Sequence, residues 1–196
     1  MSVRVVLASA SPRRRELLDL IRIRHEVMPA DVDESTRAGE SPEAYVERVA
    51  RDKAGTIAER VSNALIVAAD TTVVLDGEIL AKPDDAADAR RMLARLSART
   101  HDVFTGIAVA RDGRMESAVE RVAVTFRALS SVEIDAYVAT GEPLDKAGAY
   151  GIQGYGATIV ERIDGDYFSV MGLGLRRLVE LMQRVGVSYR FRDELR

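Results

Sequence analysis

VVLASASPRRRELL, residues 5–18, joins an apolar run to two serines among small residues, then to a proline and three consecutive arginines. Pro12 suits the first turn of a helix, and Leu17, Leu18 and Ile21 would give that helix an apolar face. The stretch therefore predicts a buried strand over Val3–Leu7 followed by a helix over Pro12–Ile21. A strand that turns through a short polar loop into a helix N-terminus favours anions, because free N–H groups and the helix dipole both attract negative charge. Ser9 and Ser11 add hydroxyl donors, and Arg13 and Arg14 add forked guanidinium donors suited to phosphate oxygens. Cations near a helix N-terminus oppose the dipole, which weakens a purely structural explanation. Surface pairing with Glu16 or Asp19 remains the alternative.

Working outward, strand-like and helix-like segments alternate, the pattern of an α/β or α+β domain. A second helix is predicted from Pro42 to about Val61, with Ser41 as N-cap. Its apolar stripe holds Val46, Val49, Ala50 and Ile57, and Lys53 falls in the same stripe. Helix geometry alone favours a lysine that snorkels to solvent along its stem. Leu65–Ala69 reads as a buried strand running into DTTVVLDGEILAKP, where Asp76-Gly77 signals a two-residue hairpin. Regular register would face Leu75 with Glu78, Val73 with Leu80 and Thr71 with Lys82, gathering Asp70, Thr71 and Lys82 at the open end. For Asp70 a structural ion pair and a catalytic carboxylate are equally open.

Further along, Asp84 or Asp85 caps a helix through Leu96, strands meet at Asp112-Gly113, and Ser130 with Glu133 has capping-box spacing. Met171, Leu175, Leu178 and Met182 line a final amphipathic helix. The glycine-dense KAGAYGIQGYGATIVERIDGD predicts a loop open to close ligand approach, but it lacks the dinucleotide and P-loop spacings. DVDES, residues 31–35, supplies hard carboxylate oxygens of the kind that hold Mg²⁺ beside phosphates, although a short acidic segment is more often just a solvated loop. His25 and His101 show no metal-ligand spacing.

Composition narrows the function classes. The chain has 196 residues, 47% of them hydrophobic, which suffices for a real core. Its net charge of -3 argues against a general polyanion binder, so any anion site is local and no nucleic-acid partner is expected. With no cysteine, disulfides and thiolate chemistry are excluded. No apolar run of about 18 residues and no signal-peptide core are evident, so the expectation is a cytoplasmic protein without a membrane partner.

Taken together, LASASPRRRELL, VDE, the helical Lys53, AADTTVVLDGEILAKP and KAGAYGIQGYG resemble the ordered motifs of the Maf family of nucleoside triphosphate pyrophosphatases over nearly the whole chain. The resemblance implies one domain over residues 1–196. It implies an α/β fold related to inosine triphosphate pyrophosphatases, with a long curved mixed sheet, flanking helices and two lobes around a cleft. It also implies hydrolysis of a nucleoside triphosphate to monophosphate and pyrophosphate with a divalent metal, Mg²⁺ ahead of Mn²⁺, in a cytoplasmic homodimer; the family was first linked to septum formation. SPRRRE, ADTT and GAYGIQG resemble the subgroup acting on dTTP and UTP, whereas the 7-methyl-GTP subgroup carries a bulky aromatic at the place of Arg13 and a glutamate at that of Gln153. By the same resemblance Asp70 is the proton acceptor, Arg13, Thr71 and Gln153 set base choice, and Ser9, Arg14, Glu34, Lys53 and Lys82 complete the site, with Glu34 and Asp70 toward the metal. Two rival readings are a house-cleaning pyrophosphatase for modified pyrimidine nucleotides and a nucleotide-sensing regulator of septum formation.

Overall fold

A computed structural model describes residues 3–191. Seven strands form one mixed sheet: β1 (Arg4–Leu7), β2 (Glu26–Val27), β3 (Ala64–Leu75), β4 (Glu78–Leu80), β5 (Thr100–Arg111), β6 (Arg114–Phe126) and β7 (Val160–Asp164). Their order is β2-β1-β3-β5-β6-β7, with β4 paired to β3. The β1 strand lies parallel to both β2 and β3, while the β3–β4 and β6–β7 pairs are antiparallel. The helices are α1 (Pro12–Leu20), α2 (Pro42–Ala58), α3 (Ala86–Leu96), α4 (Ser131–Ala139), α5 (Tyr167–Met171) and α6 (Leu175–Arg184). Among the described residues no helix is long and apolar enough to cross a membrane.

The chain divides into two compact units. The first comprises the residues up to Asp70, Thr105–Glu120 and those from Gly172 onward; the second comprises Thr71–Phe104 and Arg121–Met171. In the first unit, the parallel β1–β3 pair is bridged by α2, whose buried face is Val46, Val49, Ala50, Lys53, Ala54 and Ile57. Its core is built largely from small side chains, among them Ala8, Ala50, Ala54, Ala68, Ala108 and Ala110. That composition lets helix and sheet backbones approach closely. At Gly106 on β5 a Cβ would collide with the Val46 carbonyl oxygen, so only glycine fits beneath α2 there.

The second unit has its own core, with Leu93 and Leu96 of α3 against Val103, Val124 and Phe126. Here α4 begins on the expected capping box: the Glu133 N–H donates to Ser130 Oγ and the Glu133 carboxylate accepts from the Ser130 N–H.

Several expectations change. Met171 closes the short α5 instead of lining the final helix, which begins at Leu175. The β3 strand runs unbroken through Asp70 and Thr71 to Leu75, and α2 stops at Ala58 rather than near Val61. The hairpin pairs Leu75 with Glu78 and Val73 with Leu80 but does not pair Thr71 with Lys82, because β4 ends at Leu80. The next carbonyl, that of Ala81, instead accepts from the Gly148 N–H at 3.1 Å. Pro83 then restricts the backbone of Lys82.

Candidate active site

In the first unit the loop between β1 and α1 folds around Ser9. Its Oγ accepts from the Ser11 N–H at 3.2 Å and from Arg14 Nη1 at 3.0 Å, which leaves the hydroxyl hydrogen to donate elsewhere. Ser11 is the N-cap of α1, but its side chain does not cap, and no acidic residue occupies the first turn. Neither the N-cap side chain nor a first-turn carboxylate therefore supplies the acceptor usual at such a terminus. Arg14 is buried and anchored through Nε to the Gly172 carbonyl at 2.9 Å. Burial pushes its pKa down, opposed by the negative charges of Asp70 and Glu34, while Arg13 adds to the downward push. Arg13 is half-buried and Arg15 exposed, so the three arginines already differ in environment.

Lys53 forms the centre. Its Nζ lies 2.8 Å from Asp70 Oδ1 and 2.8 Å from Glu34 Oε1. The Lys53 and Asp70 side chains are 8% and 10% exposed, whereas Glu34 is 53% exposed. Lys53 thus does not snorkel to bulk water. It is tolerated on an apolar helix face because it meets one buried and one accessible carboxylate.

Glu34 reaches this point from a loop without regular structure, and two residues absent from the sequence prediction hold that loop. The Tyr45 hydroxyl donates to the Glu34 carbonyl at 3.0 Å, and Arg48 Nη2 donates to the Ser35 carbonyl at 2.9 Å. Arg48 is itself fixed by Glu40, through Nε to Oε1 at 2.6 Å and Nη2 to Oε2 at 2.9 Å. Partial burial, with the nearby Asp70 and Glu34 charges, pushes the Tyr45 pKa up to about 12, so the phenol stays a donor. Tyr45 stands two helical turns before Lys53 on α2, and that spacing was the available signal.

The four charges of Arg14, Lys53, Glu34 and Asp70 sum to zero, so they do not by themselves neutralise a polyanionic triphosphate. Among the described residues no three His, Asp or Glu side chains converge as a metal cage. Two carboxylates do converge on the Lys53 ammonium. Two hard oxygens fit a Mg²⁺ ion, which keeps its remaining coordination for water and substrate phosphate.

Thr71, Lys82 and Gln153 belong to the second unit. Thr71 follows Asp70 on β3 and is half-buried; Lys82 follows β4 and is exposed. Gln153 is exposed and precedes a short 3-10 turn over Gly154–Thr158. His101 is a core residue: its Nε2 shares a 2.8 Å hydrogen bond with the Tyr150 hydroxyl, and its ring packs edge-on against Phe126.

The fold is similar to that of the Staphylococcus aureus Ham1 protein, with a TM-score of 0.50 and 16% sequence identity over 92% of this chain and 90% of that one. In sequence, the chain is 54% identical over 189 residues to a Myxococcus xanthus protein named dTTP/UTP pyrophosphatase, covering 96% of this chain and 95% of that protein. An Anaeromyxobacter protein of the same name is 54% identical over 191 residues, covering 95% and 91%. The sequence pattern of the Maf family, described as Maf-like protein, matches residues 4–185. The motifs around Ser9, Arg14, Glu34, Lys53 and Asp70 lie within that match, and the chain belongs to the Maf family.

Proposed function

We propose that the chain hydrolyses dTTP and UTP to the nucleoside monophosphate and pyrophosphate. The observation that carries this reading is the ammonium of Lys53 held 2.8 Å from both Asp70 and Glu34, beside the buried Arg14 at the start of α1. The relatives named dTTP/UTP pyrophosphatase support the substrate class.

In the proposed reaction a water oxygen bonds to the α-phosphorus as the bridging bond to the β-phosphate breaks, and pyrophosphate leaves with the electron pair. Asp70 accepts the water proton. An arriving phosphate competes for the Lys53 ammonium and thereby frees this carboxylate. Ser9 and Arg14 bind phosphate oxygens, and Arg14, Lys53 and Lys82 neutralise charge as it moves onto the leaving group. A divalent cation, Mg²⁺ in this proposal, would be held by Glu34 and Asp70 and would supply Lewis-acid charge to the phosphates.

Arg13, Thr71 and Gln153 are assigned to base choice. The Gln153 amide oxygen can accept from a pyrimidine N3–H while its N–H donates to O4, an edge that thymine and uracil share. Tolerance of the thymine methyl is reasonable, since one methyl group is worth only about 1–3 kcal/mol in an apolar pocket. Homodimer formation belongs to the same proposal, rests on the family alone, and is checked by sedimentation.

The test is pyrophosphate release across dTTP, UTP, CTP, 7-methyl-GTP and modified pyrimidine triphosphates, with and without Mg²⁺. Highest kcat/KM for dTTP and UTP is expected. Preference for 7-methyl-GTP or for a modified nucleotide would overturn the substrate assignment, and binding without turnover would favour a sensor.

A further inference from the structure

The segment carrying Gln153 is a closed loop fastened by a pair of side chains that the proposed chemistry does not use. Glu142, which opens a 3-10 turn over Glu142–Asp145, accepts at Oε1 from the Tyr137 hydroxyl at 2.8 Å and from the Gly156 N–H at 3.0 Å. Its Oε2 accepts from the Tyr155 N–H at 3.0 Å. The Tyr137 oxygen accepts in turn from the Gly151 N–H at 3.1 Å. The two ends of the segment, Gly151 and Gly156, are thus tied through one Tyr–Glu pair, with Gln153 exposed between them.

Steric fit adds to the hydrogen bonds. At Gly154 the backbone has φ +67, and a Cβ would collide with the Glu142 carboxylate; at Gly156 a Cβ would collide with the Gly151 carbonyl. Behind the carboxylate, Lys146 Nζ donates to the Glu142 carbonyl at 2.6 Å. Burial raises the Glu142 pKa, but the bonds from Gly156, Tyr137 and Tyr155, with Lys146, outweigh it and hold the carboxyl below its ordinary value. Burial pushes the Tyr137 pKa up, so the phenol remains a donor. Three donors converge on this one half-buried carboxylate. The turn is held to a single geometry at the residue that faces solvent between its ends.

We propose that Glu142, with Tyr137, is the positioning residue for pyrimidine selection, holding the 151–156 loop so that the Gln153 amide presents one fixed hydrogen-bonding edge. This rests on the reading of Gln153 given above. The discriminated group is the pyrimidine edge with N3–H and O4, as against the cytosine edge, where an acceptor N3 and an amino group reverse both bonds.

The test compares kcat/KM for dTTP with that for CTP in wild type, Glu142→Gln, Tyr137→Phe, Gln153→Ala and the Glu142→Gln/Gln153→Ala double variant, with thermal melting of each. Glu142→Gln keeps one acceptor oxygen but sets an amide N–H₂ against a backbone donor. It should lower the dTTP-over-CTP ratio about tenfold, the effect of roughly one hydrogen bond. Tyr137→Phe should shift the ratio in the same direction, and it serves if Glu142→Gln does not fold. In the Gln153→Ala background Glu142→Gln should leave the ratio unchanged to within about twofold, because its effect passes through Gln153. A lower melting temperature with an unchanged ratio in both single variants would make the pair merely structural and overturn the inference. So would a ratio that still falls in the Gln153→Ala background. If Gln153→Ala alone leaves the ratio unchanged, the reading of Gln153 has failed and takes this inference with it.

Discussion

Asp70 is buried, yet it shares its ammonium partner with Glu34, which is largely exposed to solvent. Asp70→Asn keeps the shape but removes the proton acceptor. It should lower kcat about 10²–10⁴-fold, the range expected for loss of a general base, in a steady-state pyrophosphate assay. Unchanged kcat would move the base elsewhere. The arginines divide by environment: Arg14 is buried and bonded to Ser9 and Gly172, while Arg13 is half-buried. Arg14→Ala should therefore depress turnover of every triphosphate, whereas Arg13→Ala should change their ranking; one uniform effect from both would contradict that division. At this scale the apolar stripe made Lys53 conspicuous but favoured a side chain snorkelling to solvent, which its 2.8 Å contacts with Asp70 and Glu34 overturn; the family resemblance alone had turned it toward the site. Tyr45 and Arg48 were missed, because their partners are carbonyls of an irregular loop that no periodicity places.

Among the elements, α2 and β5 meet at Gly106, where there is no room for a Cβ beneath the Val46 carbonyl. Gly106→Ala should cost about 1–3 kcal/mol or more, read by chemical denaturation, because the obstacle is backbone rather than a movable side chain. The α4 N-terminus supplies a pH-dependent case. Hydrogen bonds from the Ser130 N–H and hydroxyl, then from Arg127, lower the Glu133 pKa from 4.5 to about 2. A depressed carboxylate stabilises the fold above its ordinary pKa and loses that contribution as pH falls through the folded one. The stability difference between wild type and Glu133→Gln should therefore be full above about pH 4.5 and vanish toward pH 2. A difference that is constant with pH would argue against the capping carboxylate. This box was legible because its spacing is local. By contrast, the reach of β4 was not, since the Ala81 carbonyl is claimed by Gly148, far away in sequence. The β2 and β7 strands were also missed: β2 has two exposed residues, and β7 is a short, largely exposed segment with little alternation to read.

For the molecule as a whole, alternating strand and helix patterns left α/β and α+β both open, and the resemblance of five ordered motifs to the family decided for α/β, because spacing between motifs survives where single contacts are invisible. Long-range partners in the cores were not legible. His101 is one: buried with Phe126 and Tyr150, its Nδ1 has no hydrogen-bond partner among the described residues. Burial lowers its pKa from 6.5 to about 4, against a small upward pull from Asp102. A folded pKa below the unfolded one means stability is lost as pH falls from about 6.5 toward 4, by up to about 3 kcal/mol. Denaturation of His101→Phe over that window should show a flatter pH dependence than wild type; parallel curves would refute it. The central claim concerns where water attacks. Hydrolysis of dTTP in water carrying heavy oxygen, followed by mass spectrometry of the products, reads this directly. The account predicts the heavy oxygen in thymidine monophosphate, with unlabelled pyrophosphate; label in pyrophosphate, or release of orthophosphate in its place, would contradict it.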